Sequence, residues 1–180
     1  EVRRDFMIRC FATHHGGPSL GYSLVSVREK LKPELLGVAG PELVAMKKRG
    51  VEIQYRVEVP LVAYLGDTTM GDVFDQPDVQ NAEVLITECT FYEADHKQKA
   101  KVGRHLHVDH FVDAVERLKN RDIVLIHVSR RTGVRRARNV LRRRIGEERM
   151  KNIHFLMDFE GSADGGDIDS VLPPGVEGAE

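Results

Sequence analysis

The chain contains three short apolar runs, each followed within two residues by a side chain that binds metals or carries protons. These side chains are Asp67, Glu88 and His127. A fully apolar run of about five residues is typical of a strand buried on both faces, as in a parallel sheet. The carboxyl ends of neighbouring parallel strands meet at one edge, and open α/β sheets bind ligands there. The sequence therefore predicts one site built from three strand ends.

The composition fits a globular domain and no membrane-spanning segment. Of 180 residues, 41% are hydrophobic and 31% are charged, which allows a sizeable core. No apolar run approaches the ~20 residues that span a bilayer, and no secretory signal pattern opens the chain. Cys10 and Cys89 do not make a disulfide framework. We therefore expect a reducing compartment, either the cytoplasm or an organellar matrix.

Charge is distributed unevenly along the chain, although the net charge is only −1. Residues 130–149 contain nine arginines, whereas residues 158–180 contain seven acidic residues and neither Lys nor Arg. The basic segment predicts an anionic partner, and the alternative is a helix face that is simply solvated. The Gly, Asp and Pro content after residue 159 predicts a disordered acidic tail over 160–180.

Hydrophobic periodicity predicts an α/β fold. The predicted strands are Phe6–Thr13, Tyr22–Val27, Val84–Glu88, Ile123–His127 and Ile153–Phe155, with a hairpin over Val51–Leu65. The predicted helices are Pro41–Arg49, Val108–Leu118 and a basic helix over residues 132–144. Residues 68–81 are predicted to form a solvated acidic loop.

A histidine cluster lies between the second and third strand ends. Residues 105–110 read His-Leu-His-Val-Asp-His, which has the form of an H-x-H-x-D-H metal motif. In such a motif a buried strand aims the first His pair into a cleft, but here residues 95–104 are polar. The cluster also runs directly into a predicted helix, where Asp109 would lie in the first turn. We therefore predict that His105 points toward the strand ends, with His107 as the second candidate, and that His110 does not. An independent metal site formed by the three histidines is the alternative.

Six motifs occur in an order that resembles one protein family. They are His15-Gly-Gly-Pro-Ser-Leu-Gly-Tyr22, Gly40-Pro41, Gly66-Asp67-Thr68, Thr87-Glu88-Cys89-Thr90-Phe91, His105-Leu106-His107 and Ile126-His127-Val128-Ser129-Arg130-Arg131. The chain resembles the C-terminal half of a ribonuclease Z-like member of the metallo-β-lactamase superfamily. Thr87 stands where the family has His, and Leu106-His107 where it has Ser-Thr.

The resemblance implies a fold and a domain organisation. Residues 1–159 would form half of an αββα sandwich, with one mixed sheet and helices on its outer face. Residues 28–50 would be a short arm-like insertion, corresponding to the family's tRNA-gripping arm, and residues 160–180 the tail. The family's first half carries its own H-x-H-x-D-H motif, which this chain lacks. We therefore expect a piece of a longer protein, completed by that half or by a second chain, with a homodimer as one possibility.

The resemblance also implies a chemistry for the site. The family cleaves the 3′ trailer from tRNA precursors with a water that two zinc ions activate. Asp67 matches the carboxylate that bridges the two ions, and His127 matches a terminal ligand. His105 matches the proton donor to the leaving oxygen, and Glu88 matches the carboxylate that orients it. Because Asp67 and His127 are only two ligands, this chain by itself is expected to bind zinc poorly.

Three further residues receive roles from the same resemblance. Arg131 matches an arginine that clamps a phosphate, and His15 matches a residue near the cleft. His107 is an alternative proton donor or metal ligand. Two other functions remain open: a superfamily hydrolase of a smaller ester, and a non-catalytic RNA-binding half-domain. RNA is the expected partner in the leading and the last of these readings.

Overall fold

The computed structural model describes residues 5–156, which form one mixed six-stranded sheet with helices. The strands are β1 (Phe6–His14), β2 (Pro18–Leu31), β3 (Gln54–Tyr64), β4 (Val84–Glu88), β5 (Asp122–Ile126) and β6 (Ile153–Phe155). The helices are α1 (Gly40–Lys48), α2 (Pro77–Asn81), α3 (Lys97–Gly103), α4 (Val108–Val115) and α5 (Val134–Met150). Among these residues, no helix has the length and apolar character needed to cross a membrane.

The strands lie in the sheet in their order along the chain. β1, β2 and β3 pair antiparallel, whereas β3 to β6 pair parallel to their neighbours. Parallel neighbours require crossover connections, and these contain α2 between β3 and β4, α3 and α4 before β5, and α5 before β6. The carboxyl ends of β3, β4 and β5 therefore meet at one edge. That edge carries the three side chains singled out by the apolar runs.

The two faces of the sheet differ in burial. Ala63, Leu85 and Ile123 lie on the face covered by α2, α4 and α5, and each is at most 1% exposed. On the opposite face, Tyr22 pairs with Tyr64, and these side chains are 45% and 41% exposed. A sheet with helices on one face is half of an αββα sandwich, as predicted.

The predicted hairpin over Val51–Leu65 is wrong. β3 is one strand, and it pairs over its length with β2, which continues to Leu31. Four residues assigned to the arm-like insertion are therefore strand residues. Pro60 is accommodated because the β2–β3 register shifts beside its partner Val25, and proline is tolerated at such irregularities.

Two polar segments hold more structure than their composition indicated. The segment predicted as a solvated loop contains a 3₁₀ turn over Asp72–Asp75 and helix α2. In α2, the Asp78 carboxylate accepts hydrogen bonds from Ser23 Oγ at 2.6 Å and from Arg9 at 3.0 Å. The polar run before the histidine cluster contains α3, and the basic helix extends to Met150 with a kink at Gly146. The predicted acidic tail lies outside the described residues.

Candidate active site

Asp67 lies just beyond β3, in a turn that two neighbouring segments hold in place. Gly66 adopts a φ of +61°, a left-handed conformation that glycine takes at little cost. The backbone N–H of Thr68 then donates to Glu88 Oε1 at 2.7 Å, and Thr68 Oγ1 accepts from the backbone N–H of His14 at 3.1 Å. These bonds fix the turn against β4 and the end of β1. The Asp67 side chain is left 40% exposed at the sheet edge.

Glu88 is fully buried and accepts four hydrogen bonds. The backbone N–H of Thr68 and Nδ1–H of His105 donate to Oε1, at 2.7 and 2.8 Å. The hydroxyl of Thr90 and the backbone N–H of Leu106 donate to Oε2, at 2.6 and 3.0 Å. Two carboxylate oxygens offer about four acceptor sites, so the set is complete. A buried carboxylate is tolerated when it is saturated in this way, and Glu88 retains little capacity for a metal.

His105 is held over Glu88 by a short pairing of two loops. Phe91 and His107 form a parallel bridge, and the backbone N–H of Thr90 donates to the carbonyl of Leu106. Because a carboxylate can only accept, the bond to Glu88 requires a proton on His105 Nδ1. His105 Nε2 is therefore the nitrogen that remains available at the site.

Thr90 determines the tautomer of His127. The single hydroxyl proton of Thr90 goes to Glu88, so its oxygen accepts from Nδ1–H of His127 at 2.8 Å. The lone pair of the neutral imidazole then lies on Nε2, which is 3.8 Å from Asp67 Oδ2. His127 has a φ of +58°, an uncommon conformation for a residue other than glycine. The hydrogen-bond network thus places a nitrogen lone pair of His127 beside the carboxylate of Asp67.

His15 reaches the same site from the end of β1. Its Nδ1–H donates to the carbonyl of Arg104 at 3.1 Å, and the Arg104 guanidinium donates back to the carbonyl of His15 at 3.0 Å. The ring centroids of His15 and His105 are 4.9 Å apart, and those of His105 and His127 are 4.8 Å apart and stacked. All three imidazoles are therefore held through Nδ1, with Nε2 available.

Two overlapping sets of ligand atoms converge at this edge. One consists of His15, Asp67 and His105, the other of Glu88, His105 and His127, and within each set the atoms lie within 4.8 Å of one another. Carboxylate oxygen and imidazole nitrogen are ordinary zinc donors. Asp67 and His127, with their exposed acceptor atoms, fit part of a zinc site, whereas Glu88 is occupied by its four donors.

His107 does not reach the site. It is 2% exposed and caps α4, with Nδ1 accepting from the backbone N–H of Asp109 at 3.2 Å. Its Nε2–H donates to the carbonyl of Glu93 at 3.0 Å. Within residues 5–156, the candidate metal-binding groups include neither His107 nor His110. The prediction that His107 supplies a proton or binds a metal, and the alternative site of three histidines, therefore find no geometric basis.

The Asp109 carboxylate forms an ion pair with a cation on each of two neighbouring helices. Lys97 on α3 and Arg144 on α5 each lie 2.6 Å from its carboxylate. These cations, with the hydrogen bond from Lys97 as the largest cause, lower the pKa of Asp109 to about 2. Asp109, the acidic residue of the H-x-H-x-D-H sequence, thus links α4 to α3 and α5.

Arg131 lies in the exposed turn after β5, four residues beyond His127. A cleft of about 990 Å³ adjoins the site on the side of α3. Its lining includes His14, Thr69, Lys97, Lys101 and Arg104. The lining also contains the carboxylates of Asp72 and Asp109, and the latter is paired with Lys97 at 2.6 Å. Lys101 and Arg104 are therefore the cations left without a carboxylate partner in this lining.

Sequence reasoning passed over Thr90 and Arg104. In extended backbone, the side chains of residues two apart project to the same side, so Thr90 lies on the same side as Glu88. This spacing could have indicated from the sequence that Thr90 contacts Glu88. Arg104 has a φ of +54° and follows α3, which the composition did not indicate. Its bond to His15 spans 89 residues, and no local pattern indicates it.

The chain is similar in sequence to tRNase Z proteins of plants. The chain is 35% identical over 144 residues to the chloroplastic tRNase Z TRZ2 of Arabidopsis thaliana, covering 78% of this chain and 41% of that protein. It is 36% identical over 137 residues to tRNase Z TRZ1 of the same plant, covering 74% and 49%. The chain thus spans less than half the length of these relatives. No family model matches the chain.

A solved structure supports the fold. The metallo-β-lactamase fold protein YhfI from Bacillus subtilis superposes with a TM-score of 0.52 at 17% identity, covering 86% of this chain and 47% of that protein. The resemblance to half of a ribonuclease Z-like protein, predicted from six motifs, is confirmed by these similarities. The predicted fold class is confirmed with it.

Proposed function

We propose that this chain is the half of a zinc-dependent phosphodiesterase that positions the proton donor, and that its substrate is a tRNA precursor with a 3′ trailer. One observation carries the proposal. His105 is fixed through Nδ1 on a buried, saturated carboxylate, and its Nε2 faces a site that also contains Asp67 and His127. The tRNase Z relatives support RNA as the substrate.

Cleavage of a phosphodiester leaves an oxygen that must be protonated. His105 Nε2 carries a proton to that oxygen, while the Glu88 carboxylate stabilises the imidazolium and prevents the ring from turning. Stacking against His127 restricts the ring further. Arg131 would contact a non-bridging phosphate oxygen, and His15 would line the entrance beside Arg104.

Zinc, held by Asp67 and His127, would supply an acidified water and neutralise charge on the phosphate. Asp67 would be the ligand shared by two ions, because a carboxylate has two oxygens, whereas a neutral imidazole has one free lone pair. Two ions need more ligands than these two residues supply. The proposal therefore requires further ligands from a complementary half-domain.

The open face of the sheet supports such a half-domain. Ile8, Leu20, Tyr22 and Tyr64 lie on that face in the paired register of β1, β2 and β3, and they are 41–59% exposed. A contiguous group of half-exposed apolar side chains on one sheet face fits a protein–protein interface. The coverage of 41% and 49% of the two relatives agrees with a missing half. The half would come from the same polypeptide or from a second chain, a copy of this one included.

The proposal also includes a location. Cys10 and Cys89 are both free thiols, and one relative is chloroplastic. The protein would therefore work in the cytoplasm or in an organellar matrix, where thiols stay reduced.

The test compares the protein expressed from its complete gene with the 180-residue chain. The complete protein is expected to cleave a tRNA precursor at its 3′ trailer and to bind two zinc ions, whereas the chain alone does neither. Asp67→Ala in the complete protein is expected to abolish cleavage. The matched control Asp75→Ala, in an exposed ion pair with Arg117, is expected to retain it. Absence of cleavage in the unmutated complete protein would refute the proposal.

The same assay separates the two other functions. Hydrolysis of bis(p-nitrophenyl) phosphate without tRNA cleavage would indicate a hydrolase of smaller esters. Binding of the tRNA precursor with no hydrolysis of either substrate would indicate a non-catalytic RNA-binding half-domain.

A further inference from the structure

The arginines of residues 130–149 fall into two classes. The engaged arginines are Arg136 with Glu93, Arg142 with Glu147, Arg144 with Asp109, Arg149 with the carbonyls of Val115 and Leu118, and Arg138 over the Phe155 ring. The remaining four are exposed, and none has a hydrogen bond or ion pair to another residue of the described range. They are Arg130, Arg131, Arg135 and Arg143, which we call the arginine ridge.

The ridge begins at the candidate site and leads away from it. Arg130 and Arg131 follow His127 by three and four residues, in a turn tied to the site by the bond from Ser129 N–H to the carbonyl of Thr90. Arg135 and Arg143 lie two helical turns apart in α5, about 12 Å along its axis. They line one groove of about 340 Å³ together with Asn139, Val140 and the paired Arg136.

Unpaired cations in one row cost stability through mutual repulsion, and this helix satisfies its other arginines. A row that starts beside a phosphate-cleaving site fits a polyanion whose charges are regularly spaced. We propose that the arginine ridge binds successive phosphates of the RNA strand next to the scissile bond. The inference rests on the proposed function for the identity of its ligand.

The engaged arginines provide a matched control for the test. The ridge variant is Arg135→Gln with Arg143→Gln, and the control variant is Arg142→Gln with Arg144→Gln, two paired arginines that do not line the groove. Both remove two positive charges from the same helix, but only the ridge variant removes unpaired ones. Thermal unfolding of both variants establishes that each is folded.

Binding is measured with the complete protein and a fluorescent tRNA precursor, as a function of salt and with EDTA to prevent hydrolysis. Each lost phosphate contact lowers the slope of log K against log salt by about 0.7–0.9. The ridge variant is therefore expected to lose about 1.4–1.8 of slope and to bind more weakly, while the control keeps the slope of the unmutated protein. Equal slopes for all three proteins, or equal losses in both variants, would overturn the inference.

Two additional outcomes are informative. Competition by poly-glutamate as effective as that by unlabelled RNA of equal charge would assign the ridge to acidic polypeptides and overturn the RNA assignment. A ridge-specific loss of slope in a protein that never hydrolyses the RNA would uphold the ridge and refute the proposed nuclease activity. The two proposals can thus fail separately.

Discussion

Replacement of Glu88 by Gln tests the network on which the site depends. The carboxylate accepts from two backbone N–H groups, of Thr68 and Leu106, and from the side chains of Thr90 and His105. An amide keeps one acceptor oxygen and places an NH₂ group where the other oxygen was. In either orientation, one buried backbone N–H faces this NH₂ and loses its acceptor.

The magnitude follows from the bonds that are lost. A buried donor without an acceptor costs about 1–3 kcal/mol, and hydrogen bonds to a neutral acceptor are weaker than those to a charged one by about 1 kcal/mol each. Removal of a buried charge offsets part of this sum. We expect Glu88→Gln to lower the free energy of unfolding by about 2–4 kcal/mol, which leaves a typical domain folded.

The assay is urea unfolding, with Glu83→Gln as the control near the opposite end of β4. Glu83 is 49% exposed and lies 3.8 Å from Arg121, so its loss is expected to change stability by no more than about 0.5 kcal/mol. Nitrogen NMR of His105 supplies a second measurement, because the proton on Nδ1 depends on the carboxylate. If Glu88→Gln unfolds within 0.5 kcal/mol of the unmutated protein and His105 keeps its Nδ1 proton, the network does not hold the site.

Three other outcomes are expected. Asp67→Ala in the complete protein should lose at least one zinc ion with little change in stability, and metal analysis that still finds two ions would refute the bridging role. His105→Ala should lower turnover of the tRNA precursor by a factor of roughly 10²–10⁴, with unchanged zinc content. His107→Ala should keep catalysis and lower the free energy of unfolding by about 1 kcal/mol or more, because α4 loses its N-terminal cap. A larger catalytic loss for His107→Ala than for His105→Ala would reverse these assignments. Because the pKa of Asp109 is lowered to about 2, its contribution to stability is present above about pH 4 and is lost as the pH falls through 2. Asp109→Asn should therefore cost about 1–2 kcal/mol at pH 7 and only a small part of that at pH 2, where half of the carboxyl groups are protonated. Urea unfolding at both pH values that shows a constant difference would contradict the depressed pKa.

The sequence by itself determined the strand ends and their order. Asp67, Glu88 and His127 each follow a short apolar run, and such runs form parallel strands whose carboxyl ends share an edge. Whether a segment is apolar enough to be buried depends on its own residues, so burial can be predicted without knowing which elements will pack against it. The amphipathic stripe of α4 was readable for the same reason.

The roles of the two histidines near α4 were decided only by the tertiary structure. His105 and His107 are two residues apart in the sequence and chemically identical, yet one bonds to Glu88 and the other caps a helix. Their difference comes from partners 14 and 17 residues away, Glu93 and Glu88. A hydrogen bond depends on distance and direction in space, and local sequence pattern fixes neither across loops of that length.

Which arginines of residues 130–149 are paired and which are unpaired also depends on the positions of distant residues in space. All nine arginines of residues 130–149 look alike in a basic helical pattern, and helical periodicity separates only an inner face from an outer one. Arg136 and Arg144 find their acids on other elements, at Glu93 and Asp109, whereas Arg135 and Arg143 find none among residues 5–156. The free energy of an ion pair depends on where the chain folds its acids. The sequence therefore determined that the helix is basic, and the tertiary structure decided which of its charges remain available to a ligand.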